Sequence, residues 1–317
     1  MFQKKYRGEK ILAAFKNKII PVIFGLCGQF LNNDEIKLIK NNKIYGFIIF
    51  ERNILNLVQL KKLIKHIKFI TSNDPLIMID HEGGRVNRFN KIFSQKKYTA
   101  EYFGKLYLTD RKNFYKETSN FIDLNVGIFK FLGIDTVAYP VADLKYKKTH
   151  KVIGDRSFSN NPTIVNKLCE YFIEKYQDKG INCIAKHAPG HGLAIVDSHF
   201  KLPIVEENKE NLFKKDFLCF KNLRSKFLMI AHIKYTFLDF KIATYSSKIL
   251  TLIRKKINFK GLIMTDDICM KALKENLKTK VTQPLLAGCD IILHCNGNIN
   301  EMKKIIGILK KWMSQKI

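Results

Sequence analysis

Carboxylate, imidazole and basic side chains gather in four short segments of this 317-residue chain. Lys186-His187-Ala188-Pro189-Gly190-His191-Gly192 runs on to Asp197-Ser198-His199. Pro189, Gly190 and Gly192 rule out a regular helix there, so His187 and His191 do not share a helical face as in an HExxH zinc site. A metal site built from His187, His191 and His199 is the weaker reading, because no Cys or Glu stands at ligand spacing. A substrate loop is the stronger one. Lys186 and His187 donate hydrogen bonds to hydroxyls, and Asp197, two residues from His199, fixes the ring's tautomer and steadies its protonated form, as in an Asp–His general acid.

The other three segments add carboxylates and guanidinium groups. Asp80-His81-Glu82-Gly83-Gly84-Arg85 carries a Gly pair that permits a sharp turn, after which Asp80 and Arg85 can face one pocket. Ile153-Gly154-Asp155-Arg156 places an Arg that reaches a ligand or caps a loop. In Thr265-Asp266-Asp267 neighbouring residues of a strand point to opposite faces. One Asp therefore enters the site and the other makes structural bonds, although two Asp after a strand also suit helix capping.

Eight short apolar runs must position these groups: Val22–Leu26, Tyr45–Phe50, Leu76–Asp80, Thr136–Leu144, Cys183–His187, Phe227–His232, Leu262–Asp266 and Asp290–Cys295. They are near-continuous in Ile, Val, Leu, Phe and Ala, as strands buried on both faces are. Amphipathic segments separate them. Ile54, Leu57, Leu60, Ile64 and Ile67 form one apolar face with Lys61, Lys62 and Lys65 opposite. Asn161-Pro162 opens a helix that Gly180 ends, and the residues from Ile299 to Met313 form a closing helix. Eight strands alternating with helices predict a (β/α)8 TIM barrel over residues 1–317 as a single α/β domain, with an open doubly wound sheet as the competitor. In either fold, chemistry sits at the C-terminal ends of strands. Five runs end there in polar residues that an apolar core does not explain.

The formal net charge is +28. Of the 56 basic residues eight are Arg and 48 Lys, and the Lys pairs are scattered from Lys4-Lys5 to Lys310-Lys311. That distribution reads as a solvated surface rather than the stripe of a nucleic-acid binder. The seven Cys form no CxxC and read as buried thiols in a reducing compartment. The basic N-terminal stretch has only a five-residue apolar segment before Lys16, too short for a signal-peptide core. The run Ile19–Cys27 is too short to span a membrane. A cytoplasmic protein is expected, with no membrane span, no cofactor and no metal, and a monomer in the absence of any feature demanding a second copy.

Four motifs together resemble the single-domain β-N-acetylglucosaminidases of glycoside hydrolase family 3: IDHEGGRVNRF from Ile79, IGDRSFS from Ile153, KHAPGHG with DSH from Lys186 to His199, and MTDDICM from Met264. Weaker echoes are GFIIFERN from Gly46, PVADL from Pro140 and AGCDIILHCN from Ala287. The resemblance implies a retaining two-step mechanism. It implies Asp266 as nucleophile, His199 assisted by Asp197 as general acid/base, and Asp80, Arg85, Arg156, Lys186 and His187 as binders of the sugar. The implied substrate is GlcNAc β-1,4-linked to 1,6-anhydro-N-acetylmuramic acid, with or without peptide, released during peptidoglycan recycling. His81 and Ala188 depart from the family's usual Gln and Phe, and His81 is expected to alter pocket polarity. Two other readings use the same residues. One is a phosphorylase, in which phosphate replaces water. The other is an inactive basic barrel that binds nucleic acid or an anionic glycan.

Overall fold

The computed structural model describes residues 18–315. The short apolar segment read as no signal peptide lies outside them. Eight parallel strands close into a barrel: β1 (Ile20–Gly25), β2 (Ile44–Ile49), β3 (Leu76–Ile79), β4 (Thr136–Val137), β5 (Asn182–Ala188), β6 (Phe227–Ile230), β7 (Leu262–Asp267) and β8 (Ile291–His294). Each pairs in parallel with the next, and β1 pairs with β8. The chain is a (β/α)8 barrel, and the open-sheet alternative is excluded by that closure.

Strand residues divide between two cores with the period of two that a pleated strand imposes. Ile23, Ile48, Met78, Ile184, Met264, Ile291 and Leu293 fill the barrel interior. Their neighbours Phe24, Ile79, Ala185, Ile263 and Ile292 face the surrounding helices. Those helices form where apolar periodicity and caps agree. Leu57–Ile70 starts where the Asn56 side chain accepts from Gln59 N–H, and it buries Leu60, Ile64 and Ile67. Ile54 lies before this helix rather than on its face. Pro162–Asp178 is capped by Asn161 and followed by Gly180 at φ +80°. Ile299–Ser314 packs against β1 of the closed barrel.

The fourth run departs from expectation. Thr136 and Val137 form the only continuous strand of this run, and pairing with β5 returns at a single bridge, Val141 to Lys186. Pro140 has no N–H to donate, and downstream the Asp143 carboxylate replaces strand pairing by accepting from the backbone N–H groups of His187 and His191. All seven Cys are free thiols, five of them buried, while Cys27 is exposed and Cys269 half-buried against the expectation of buried thiols. No helix of the described residues is long and apolar enough to cross a membrane.

Candidate active site

Strand parity sets which side chains reach the mouth of the barrel. Asp80, Lys186 and Asp266 each lie two residues beyond an interior residue, namely Met78, Ile184 and Met264. The same pleat that packs the barrel therefore turns these three groups inward at its C-terminal end.

A network of alternating charge covers one side of this mouth. Lys186 Nζ lies 2.5 Å from Asp80 Oδ1 and 2.5 Å from Glu82 Oε1. Arg156 grips Glu82 with two bonds of 2.7 Å, Nε to Oε2 and Nη2 to Oε1. Arg88 pairs with the second oxygen of Asp80. Burial alone would raise the pKa of both carboxylates, but Lys186 and Arg88 outweigh it at Asp80, and Arg156 and Lys186 outweigh it at Glu82. Both acids are held below the usual carboxylate range. Three cations face two anions in this network.

Arg85 is not part of this network. Its Nε binds Asp155 at 2.9 Å, and its Nη2 donates to the carbonyls of Lys151, Val152 and Ile153. It clamps the loop that carries Arg156, and Arg88 stands where Arg85 was expected. The reason is local: Gly83 and Gly84 take φ of +80° and +55°, and the tight turn sends position 85 outward and brings position 88 back.

Asp266 is 7% exposed. Its Oδ1 accepts the Asp267 N–H at 2.8 Å. Burial opposes its ionisation, but His187 and His232 nearby, with that N–H, hold its pKa below the ordinary value. Asp267 faces the other way, and its Oδ1 accepts from the N–H groups of Cys269 and Cys295, both at 3.0 Å. The two carboxylates are thus divided as strand geometry requires: one at the cleft, one tying β7 to β8.

His187 Nδ1 bonds Asp143 at 2.7 Å. Asp143, present in the PVADL echo, was not among the expected site residues. Nor was His232, whose Nδ1 meets Thr244 Oγ1 at 2.7 Å and whose Nε2 donates to the Asp267 carbonyl at 3.1 Å. Glu82 was quoted only as part of its motif. His191, by contrast, is buried with its Nε2 on Ser198, and burial lowers its pKa to about 4.

On the rim, Asp197 Oδ1 accepts both the backbone N–H of His199 at 2.9 Å and its Nδ1 at 2.7 Å. This leaves Nε2 as the nitrogen presented to a substrate oxygen. The His199 side chain is 55% exposed, yet its charge acts on Asp266. The loop docks through Lys271 N–H on the His199 carbonyl and Ala272 N–H on that of Ser198, both at 3.3 Å.

With the geometry in place, comparison with known proteins decides the family. Residues 22–316 match the glycosyl hydrolase family 3 N-terminal domain. The chain belongs to glycoside hydrolase family 3. It is 34% identical over 273 residues to a beta-hexosaminidase of Actinobacillus pleuropneumoniae serotype 5b, covering 84% of this chain and 78% of that one. It is 33% identical over 282 residues to the Haemophilus influenzae beta-hexosaminidase, covering 87% and 79%. NagZ from Neisseria gonorrhoeae, solved with N-trifluoroacetyl-D-glucosamine, superposes with a TM-score of 0.82 at 29% identity, covering 92% of this chain and 89% of that one. The family 3 chain is a glycoside hydrolase of beta-hexosaminidase type.

The two departures from the family's usual residues do not line the cleft. Ala188 is fully buried in the strand–helix layer. His81 is fully buried beside Phe89 and Phe129. Its Nε2 meets Gln95 Oε1 at 2.7 Å, and its Nδ1 accepts the Arg88 N–H at 3.3 Å. That pair of bonds requires a neutral ring, and burial, against the Gln95 bond, lowers its pKa to about 4. A base depressed in the folded state contributes stability that is complete above its unfolded pKa, near 6.5, and is lost as pH falls toward 4. His81→Gln is expected to reduce the loss of stability between pH 6.5 and 4, read as the shift in urea midpoint with pH. An unchanged shift would contradict the assignment.

Proposed function

We propose that this enzyme removes terminal β-linked N-acetylglucosamine with retention, using Asp266 as nucleophile and His199 as general acid/base. The observation that carries the reading is the pairing of an inward carboxylate, buried yet held ionised by His187, His232 and a backbone N–H, with a rim imidazole whose Nδ1 is fixed by Asp197. In the first step His199 Nε2–H protonates the leaving glycosidic oxygen while Asp266 attacks the anomeric carbon, forming a glycosyl ester. In the second, His199 takes a proton from water, water attacks the same carbon, and the carboxylate leaves. An imidazole alternates these roles near neutral pH, where a carboxylic acid needs a raised pKa.

Asp80, Arg88, Arg156, Lys186 and His187 bind the sugar's hydroxyls and neighbouring groups, with Arg85 supporting Arg156. The ligand bound to the Neisseria relative, an N-acylated glucosamine, supports an N-acetyl sugar in this cleft. The proposed substrate is GlcNAc-β-1,4-(1,6-anhydro)MurNAc, with or without peptide, in cytoplasmic peptidoglycan recycling. One catalytic domain suffices, and no second copy is required.

The reading is tested with His199→Ala. Loss of the acid slows a glycoside with a poor leaving group, such as the disaccharide, by roughly 10²–10⁴-fold. An aryl glycoside with a good leaving group loses far less in its first step, because its oxygen needs little protonation. Equal losses in that step would remove His199 from the acid role. Release of sugar 1-phosphate in phosphate buffer, in place of free GlcNAc, would replace hydrolysis with phosphorolysis.

A further inference from the structure

We propose that Cys269, His294 and Glu301 form a binding site for a single zinc ion on the helix-facing side of the barrel, beneath the end of β7. The three residues come from separate elements: the turn after β7, the last position of β8 and the first turn of the closing helix. Each offers a ligand atom, and the three atoms lie within 4.8 Å of one another. Strand parity puts the site outside the sugar cleft. Leu293 and Cys295 face the barrel interior, so His294 between them faces the helices, where its ring meets Phe24 edge-on at 5.7 Å.

His294 is fully buried, and its ring reaches Glu301. Its Nε2 bonds Glu301 Oε2 at 2.7 Å, while Nδ1 is buried with no hydrogen-bond partner. Nε2 is thus turned toward Glu301, and offering it to a cation moves the ring proton to Nδ1. Glu301 is already oriented by Asn296 Nδ2 at 2.9 Å. Its backbone N–H sits on the capping Asn298 side chain at 3.2 Å. Cys269 is fixed through its own N–H on Asp267.

One sulfur, one imidazole nitrogen and one carboxylate oxygen form a borderline-soft set that favours Zn²⁺ over Mg²⁺ or Ca²⁺, with water completing a tetrahedron. Binding replaces the His294–Glu301 hydrogen bond with two metal bonds and releases the Cys269 thiol proton to solvent. Because Cys269 hangs from Asp267, the ion ties the turn behind the nucleophile strand to β8 and to the closing helix.

The test uses the full-length chain after dialysis against a chelator, titrated with Zn²⁺ by calorimetry and with Co²⁺ by absorption. The expected result is one equivalent of metal, a sulfur-to-cobalt charge-transfer band, and a higher thermal midpoint with Zn²⁺. Cys269→Ser is expected to abolish the band and weaken Zn²⁺ binding more than about tenfold. His294→Gln is expected to weaken Zn²⁺ binding similarly. His199→Ala and Cys295→Ser leave the titration unchanged. No bound metal, or a band and affinity that survive Cys269→Ser, would overturn the proposal. Binding lost instead in His199→Ala would place the ion in the sugar cleft and equally overturn it.

Discussion

Replacing Asp266 with Ala is expected to lower kcat on β-N-acetylglucosaminides by on the order of 10⁴-fold or more, because no other group can form the covalent intermediate. The folded structure should persist. The substitution strips one hydrogen bond from the Asp267 N–H, a cost of about 1 kcal/mol, and at the same time removes a charge that burial opposes. Asp267→Ala is the contrasting case. Two N–H groups, of Cys269 and Cys295, lose their shared acceptor, so stability falls while any chemistry that survives keeps its nucleophile. Rates corrected for folded fraction separate the two variants. Similar kcat losses in both would mean that the division of labour between the carboxylates is wrong.

Lys186→Met is expected to destabilise the protein by about 1–3 kcal/mol, the cost of taking a charged hydrogen-bond donor from two carboxylates that are largely out of water. Lys186 is 3% exposed and lies between Asp80 and Glu82. Without it, the buried Glu82 keeps only Arg156 and the partly buried Asp80 only Arg88. The pH dependence follows from the depressed carboxyl groups: their stabilisation is present above the unfolded pKa and is lost as pH falls through the folded one. Removing Lys186 raises both folded values, so acid unfolding should begin at higher pH than in the parent. Adding Glu82→Gln to Lys186→Met should deepen the loss rather than recover it, since it leaves the buried Arg156 guanidinium without its carboxylate. Urea midpoints across pH check both statements. A Lys186→Met protein as stable as the parent would show that the network is not buried as described.

Much of this arrangement was legible in the sequence because it follows from periods of two and 3.6. All eight apolar runs contain strands, and the pleat rule puts Asp266 and Asp267 on opposite faces, with the family resemblance naming Asp266 as the inward one. What failed depended on turns and distant contacts. Arg85 and Arg88 are three residues apart in one motif, and which returns to the cleft is decided by two left-handed glycines. Glu82 gains its meaning from Arg156, 74 residues away, and from Lys186. Asp143 looked like the end of a long strand, whereas it is the acceptor that orients His187. His81 was read as a change in pocket polarity because it departs from the family's usual Gln. Its own parity turns it into the helix layer with Phe89 and Phe129.

The most direct test of the central claim is turnover of an aryl β-N-acetylglucosaminide by the purified protein, beside Asp266→Ala and beside the corresponding plain β-glucoside. Cleavage of the N-acetyl sugar alone, abolished in the folded Asp266→Ala protein, is the predicted result. Equal cleavage of the glucoside, or near-full turnover in the variant, would contradict it.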